Sequence, residues 1–215
     1  MVHNLSEKDS LLGNYMAELR DVDIQRDPVR FRLNMERIAE IIGYEISKSL
    51  PYKKISVETP LGISSDRVLE EQPVLITILR AGLAMHSGLM RCFDRAESAF
   101  VSAYRKHITP EEFEIYVEYM AAPNLDGRIW IISDPMLATG NSMNTVFDAL
   151  LKVGIPKKIF IASALATHQA LAKVSAHFPP NTIIYTAAID DELTAQSYIV
   201  PGLGDAGDLA FGVKI

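Results

Sequence analysis

A single cysteine, Cys92, stands in 215 residues, so no internal disulfide can form, and no Cys/His group has zinc-finger spacing. Such a chain suits a reducing cytoplasm. An excess of positive charge is also absent. The 21 basic and 27 acidic side chains leave a formal charge of −6, which opposes tight, sequence-independent binding to a nucleic-acid backbone. Long apolar runs are missing: Ile159 to Ala166 is far shorter than the roughly 18 residues a membrane span needs, and the opening MVHNLSEKDS has no apolar signal core. Neither anchor nor export is expected. Glycine and proline, at 12 and 11 residues, are too few for a collagen-like or Pro/Gly-rich disordered chain. With 48% apolar residues the chain can bury a sizeable core, and one domain is expected.

What is present is a regular alternation. From Pro28, the residues Phe31, Met35, Ile38, Ile41, Ile42, Ile46 and Leu50 recur at spacings of three and four, which predicts a helix ending before Pro51. Residues 52–72 mix charges with Ile55 and Val57 and read as a strand or hairpin arm outside the core. From Pro73 the chain alternates strand (74–79), loop, helix (83–93) and strand (98–104). Phe113 to Tyr119 then predicts one arm of a protruding hairpin around 105–120. Strands at 128–133, 158–165 and 182–188, with helices after 142 and over 168–178, complete an open parallel α/β sheet with helices on both faces. The tail after Ile189 reads as irregular.

In such sheets ligands bind beyond the carboxyl ends of the strands, which directs attention to Arg80, Arg105, Asp134 and Asp190. The most specific segment is Asp134-Pro-Met-Leu-Ala-Thr-Gly-Asn-Ser142, between a buried strand and a helix start. First-turn N–H groups lack helical partners and favour an anion, and Thr139, Asn141 and Ser142 can add hydrogen bonds. The competing reading is an ordinary helix cap by Asn141 or Ser142 with nothing bound. Asp134 would repel a phosphate but can accept hydrogen bonds from sugar hydroxyls, so the pair reads as a grip on a ribose 5-phosphate. Gly202-x-Gly204-x-x-Gly207 matches a dinucleotide-binding pattern, but only eight residues follow it, too few for the βαβ unit and acidic ribose contact it requires.

The segment IWIISDPMLATGNS resembles the phosphoribosyl diphosphate (PRPP) motif of phosphoribosyltransferases, in the Asp-Pro variant of the uracil phosphoribosyltransferase family. Ile78-Leu-Arg80-Ala-Gly-Leu83 resembles that family's first phosphate loop, and Tyr198-Ile-Val-Pro-Gly-Leu-Gly-Asp-Ala-Gly-Asp208 its uracil-binding segment. The resemblance spans nearly the whole chain. It implies a type I phosphoribosyltransferase fold with 1–72 as a helical segment and arm, 73–189 as a PRPP-binding core, and 190–215 as a glycine-rich base-binding hood. It implies transfer of the phosphoribosyl group of PRPP to uracil, with Mg²⁺ carried by PRPP. PRPP contacts fall on Arg80, Arg105, Asp134, Pro135, Met136, Leu137, Ala138, Thr139, Gly140, Asn141, Ser142 and Asp205. Uracil contacts fall on main-chain groups of Ile199, Gly204, Asp205 and Ala206, and Arg105, Asp134 and Asp205 are the catalytic set.

The resemblance further implies a homo-oligomer, a dimer or higher, with no nucleic-acid partner. GTP control occurs in some relatives, and nothing in the sequence decides it. Two positions depart from the family pattern: Asn141 replaces a usual glycine, and Leu209-Ala210 stand where a basic residue is common. The rival reading is a pyrimidine-responsive RNA-binding regulator on the same fold, which would need its cations clustered on one face. His3, His86, His107, His168 and His177 show no metal spacing, Cys92 reads as a small core residue, and Lys53-Lys54 and Lys157-Lys158 read as solvated pairs.

Overall fold

The structure, a computed structural model, describes the backbone of residues 1–107 and 113–214, and the side chains of those residues other than 104–116. The chain runs β1 (Val2–Asn4), α1 (Leu11–Arg20), α2 (Pro28–Ser47), β2 (Tyr52–Thr59), β3 (Gly62–Leu69), β4 (Val74–Leu79), α3 (Leu83–Cys92), β5 (Glu97–His107) and β6 (Phe113–Ala121). It continues through β7 (Ile129–Ser133), β8 (Met136–Leu137), α4 (Asn141–Leu150), β9 (Lys158–Thr167), α5 (His168–His177), β10 (Ile183–Asp190), β11 (Glu192–Leu193), β12 (Ile199–Val200) and α6 (Ala206–Phe211).

The main sheet has the order β1-β10-β9-β7-β4-β5-β6, with β8 added beside the end of β9. All its pairs are parallel except β5–β6. Successive residues of the central strands serve opposite layers, because side chains alternate across a sheet. Leu75, Ile129, Ile131 and Phe160 join Leu12, Phe31, Ile38 and Met85 of α1–α3 in one core. Ile76, Trp130, Ile132 and Ile161 join Met143, Val146, Leu171 and Val174 of α4 and α5 in the other. This two-sided burial explains why the strands read as continuous apolar runs.

Local signals set the helix ends. Asp27 caps α2 by accepting from the Val29 amide at 2.9 Å, and Pro28 occupies the first turn, where its missing N–H costs nothing. Phe31, Met35, Ile38, Ile42 and Ile46 are all buried. Each contributes about 1.5–3 kcal/mol of apolar burial.

The structure corrects several readings of the sequence. The first residues form an edge strand paired with β10, and α1 buries Leu12, Met16 and Leu19; one short strand and a helix containing Gly13 and Asn14 carry too little periodicity to read. β2 and β3 do form an arm, a two-stranded sheet bonded to no other strand among the described residues. β5 runs through Arg105 to His107 because its far half pairs antiparallel with β6, so Arg105 lies inside a strand rather than after one. The side chain of Arg105 lies outside the described residues, as do those of Lys106 and His107. The tail after Ile189 is ordered into the β11–β12 pair and α6. Cys92 is exposed rather than core, although its thiol donates to the Glu40 carbonyl at 3.2 Å. Among the described residues no helix is long and apolar enough to cross a membrane.

Candidate active site

Two adjoining cavities, about 180 and 680 Å³, open beyond the carboxyl ends of β4 and β7. They share Ala81, Asp134, Ser142, Ser197, Tyr198, Asp205 and Gly207, so they form one cleft with a small and a large compartment.

One wall is built from the end of β7 to the start of α4. β8 pairs with β9, which fixes the loop's path, and the chain then turns at Gly140 with φ +77°. Only glycine takes that backbone readily. A Cβ there would also lie 3.2 Å from the Ala170 carbonyl oxygen. α4 begins at Asn141 with no side chain capping it, so the ordinary-cap reading fails: Asn141 and Ser142 are already helical. The remaining side-chain contact is long, from the Asn141 amide to Thr139 Oγ1 at 3.4 Å. Asn141 instead accepts a hydrogen bond from Lys173 on α5. The first-turn amides carry partial positive charge, and Thr139, Gly140 and Ser142, where α4 starts, stand on the wall of the smaller cavity. Thr167 braces this wall from behind: its hydroxyl donates to the Ala138 carbonyl at 2.7 Å and accepts from the Ala170 amide at 3.0 Å, capping α5.

Asp134 sits on the wall of both compartments. Burial among the strand ends pushes its carboxyl up to about 6, against the opposing hydrogen bond from the Met136 amide at 3.2 Å. Beneath it, Ser133 is tied to Thr77 of β4 (3.3 Å), Thr77 to His86 Nδ1 (2.8 Å), and His86 Nε2 to Ser98 (3.2 Å). This hydrogen-bonded row holds together the strands that launch the Arg80 and Asp134 loops. Partial burial lowers the His86 pKa, which favours the neutral ring.

The facing wall comes from the C-terminal segment. Ile199, Gly204, Asp205 and Ala206 line the smaller cavity beside Tyr198. Asp205 caps α6 by accepting from the Asp208 amide at 3.0 Å and receives Lys214 at 3.3 Å. Burial works against its charge, but these contacts prevail and hold its pKa below the usual carboxylate value. Arg80 lines the larger compartment and donates to Asp208 (3.0 Å) and to the Gly212 carbonyl (3.3 Å). The Gly202 peptide is held from outside: its amide donates to Asp190 (2.9 Å) and its carbonyl accepts from Arg20 (3.1 Å). A side chain at Gly202 would place Cβ 2.0 Å from the Ile199 carbonyl oxygen, and φ is +61°.

The cleft thus brings together Asp134, Met136, Leu137, Ala138, Thr139, Gly140 and Ser142 with Ile199, Gly204, Asp205 and Ala206. Pro135 and Asn141 stand behind its surface: Pro135 offers its carbonyl to the Leu165 amide at 2.9 Å, and Asn141 faces Lys173. Asp190, grouped with the strand-end residues from the sequence, is turned away from the cleft toward Arg20. Arg20, Thr167 and Lys214 were not singled out in the sequence. Thr167 alone carried a local signal, a hydroxyl residue between a strand and a helix.

Among the described residues no group of three His, Cys, Asp or Glu could hold a metal. Asp134 and Asp205 are separate carboxylates on the cleft wall, a donor set that suits a hard cation arriving with most of its oxygen ligands.

An open, mainly parallel sheet with an anion-favouring helix start and a backbone-lined pocket at its carboxyl edge defines a protein of the type I phosphoribosyltransferase fold. The model of one family, described as uracil phosphoribosyltransferase, matches residues 6–213. A uracil phosphoribosyltransferase of Porphyromonas gingivalis is 50% identical over 214 residues, covering 100% of this chain and 99% of that protein. One from Pyrococcus furiosus is 37% identical, covering 97% of this chain and 89% of that protein. The solved structure of the AQ2163 protein from Aquifex aeolicus superposes with a TM-score of 0.87 at 28% identity, covering 100% of both chains. The chain belongs to the uracil phosphoribosyltransferase family.

Proposed function

We propose that the chain transfers the 5-phosphoribosyl group of PRPP to N1 of uracil, giving UMP and diphosphate. The observation that carries this reading is the meeting, across one small cavity, of Asp134 and the uncapped start of α4 with Ile199, Gly204, Asp205 and Ala206. An acid beside an anion cradle suits a ribose 5-phosphate, and exposed peptide groups suit a flat base with alternating donors and acceptors.

In this reading the displacement at the anomeric carbon needs no protein nucleophile, and catalysis consists of holding the sugar and stabilising charge. The amides near 137–142 hold the 5-phosphate, with Pro135 and Asn141 fixing the loop's course. Asp134 accepts from the ribose hydroxyls and faces a sugar that becomes positive. Arg80 and Arg105 take the leaving diphosphate, for which planar guanidinium groups are well shaped. Mg²⁺, carried in with PRPP, would neutralise diphosphate charge, and Asp205 is the carboxylate that would help to hold it. Peptide groups of the C-terminal segment read uracil's O4 and N3–H. Cytosine would present the reversed pattern and leave buried groups unpaired.

The same reading divides the chain into a helical segment and arm (1–72), a PRPP-binding core (73–189) and a base-binding hood (190–215), and takes it to be a cytoplasmic homo-oligomer. Leu61 and Ile63 support self-association, since they are 100% and 80% exposed on the arm. The α2 stripe gives no such support, because it is buried inside the chain. An RNA-binding regulator would need a stripe of free cations, whereas Arg91, Arg128 and Lys157 on the surface are paired with acids.

The test is to supply the purified protein with PRPP and, separately, uracil, cytosine and purines, and to measure diphosphate release. Release with uracil alone is expected. No release with uracil overturns the proposal.

A further inference from the structure

We infer that Lys214 is a further cation for the diphosphate of PRPP, working beside Arg80. The inference rests on the proposed transferase reading. Leu209 and Ala210 of α6 pack into the hydrophobic core rather than onto the cleft, and neither can bind an anion. The chain then folds back, and Lys214 lines the larger compartment together with Arg80, Asp134 and Asp205.

The contacts show how the tail is brought there. Arg80 donates to the Gly212 carbonyl and to Asp208, and the same Asp208 oxygen accepts from the Lys214 amide at 3.4 Å. Among the described residues, the two cations lining this compartment are parked on acids: Arg80 on Asp208 at 3.0 Å, Lys214 on Asp205 at 3.3 Å. The Lys214 side chain is 67% exposed, and a long, solvent-exposed pair of this kind holds weakly. A diphosphate entering between these side chains carries several negative charges and draws the ammonium from its single carboxylate. Lys214 then becomes a direct diphosphate contact, and Asp205 is freed to face the cation that PRPP brings.

The experiment compares wild type, Lys214→Ala and Lys214→Arg. PRPP and inorganic diphosphate binding are measured by calorimetry, and KM for each substrate and kcat by uracil-dependent diphosphate release. Lys214→Ala is expected to weaken PRPP and diphosphate binding about tenfold, the loss of one charge-assisted contact, with KM for uracil unchanged. Lys214→Arg is expected to restore binding. Unchanged or tighter binding in Lys214→Ala overturns the inference, as does an equal loss in both variants, which would assign the effect to packing of the tail. If wild type binds PRPP but releases no diphosphate with uracil, the transferase reading fails instead, and the calorimetric comparison still decides the role of Lys214.

Discussion

Arg20 and Asp190 form a two-pronged ion pair, with guanidinium nitrogens 2.7 and 2.9 Å from the two carboxylate oxygens, and together they clamp the Gly202 peptide by its N–H and its C=O. Burial alone would raise the Asp190 carboxyl, but the bonds from Arg20 and Gly202 outweigh it and leave the pKa lowered. A helix near the start of the chain thereby sets the orientation of the turn beside the smaller cavity.

Arg20→Met leaves the buried Asp190 charge without its partner. Loss of about 2–3 kcal/mol is expected in urea unfolding, because removing one member of a buried pair strands the other. The deficit should be present at neutral pH and shrink as pH falls through the lowered Asp190 pKa, where the wild-type pair is itself lost. KM for uracil should rise while KM for PRPP stays near wild type.

Asp134 carries the opposite sign. Its folded pKa of about 6 exceeds the ordinary 3.8, so between those values the folded chain holds more protons than the unfolded one, and stability falls as pH rises. Above pH 6 the penalty is complete. Asp134→Asn should therefore be more stable than wild type by roughly 1–3 kcal/mol near pH 8, and the difference should vanish below about pH 4. If the carboxylate grips the ribose, kcat/KM for PRPP in wild type rises through about pH 6, and the variant lacks that limb.

Thr167→Val removes the cap of α5 and leaves the Ala138 carbonyl without its donor. A loss of about 2 kcal/mol is expected from the two effects together. Thermal unfolding measures it. The cradle loses its brace, so KM for PRPP should increase more than KM for uracil.

Arg105→Ala should lower kcat/KM for PRPP by roughly 10 to 100-fold, the effect of one charge-assisted contact of about 1.5–3 kcal/mol. Steady-state kinetics with saturating uracil measures it. An unchanged value would remove Arg105 from the diphosphate site.

The core of the fold was legible because each buried strand is an apolar run and α2 is a long amphipathic stripe. Asp134 and the following loop were legible because strand-to-helix turns at the carboxyl edge have a restricted chemistry. Arg20, by contrast, has no local mark: its partners Asp190 and Gly202 lie 170 and 182 residues away, and only the folded chain brings them together. Lys214 was invisible for a similar reason, since nothing in FGVKI shows that the chain doubles back toward Arg80. The extent of β5 is not legible at Arg105 because antiparallel pairing with β6 extends it past the edge of the parallel sheet. Cys92 reads as core because small apolar residues on helices usually are, but it lies at the exposed edge of the α2–α3 packing, with its thiol against the Glu40 carbonyl.

The Arg20 clamp also bears on the order in which the molecule matures. Contacts spanning most of the sequence carry the greatest loop-closure cost and form late. A nascent chain emerging from the ribosome can settle its first helices and strands well before Gly202 has been synthesised. Nucleobase recognition is then the final property acquired, and hydrogen exchange should find the amides of residues 199–205 opening more readily than those of β7 and β9.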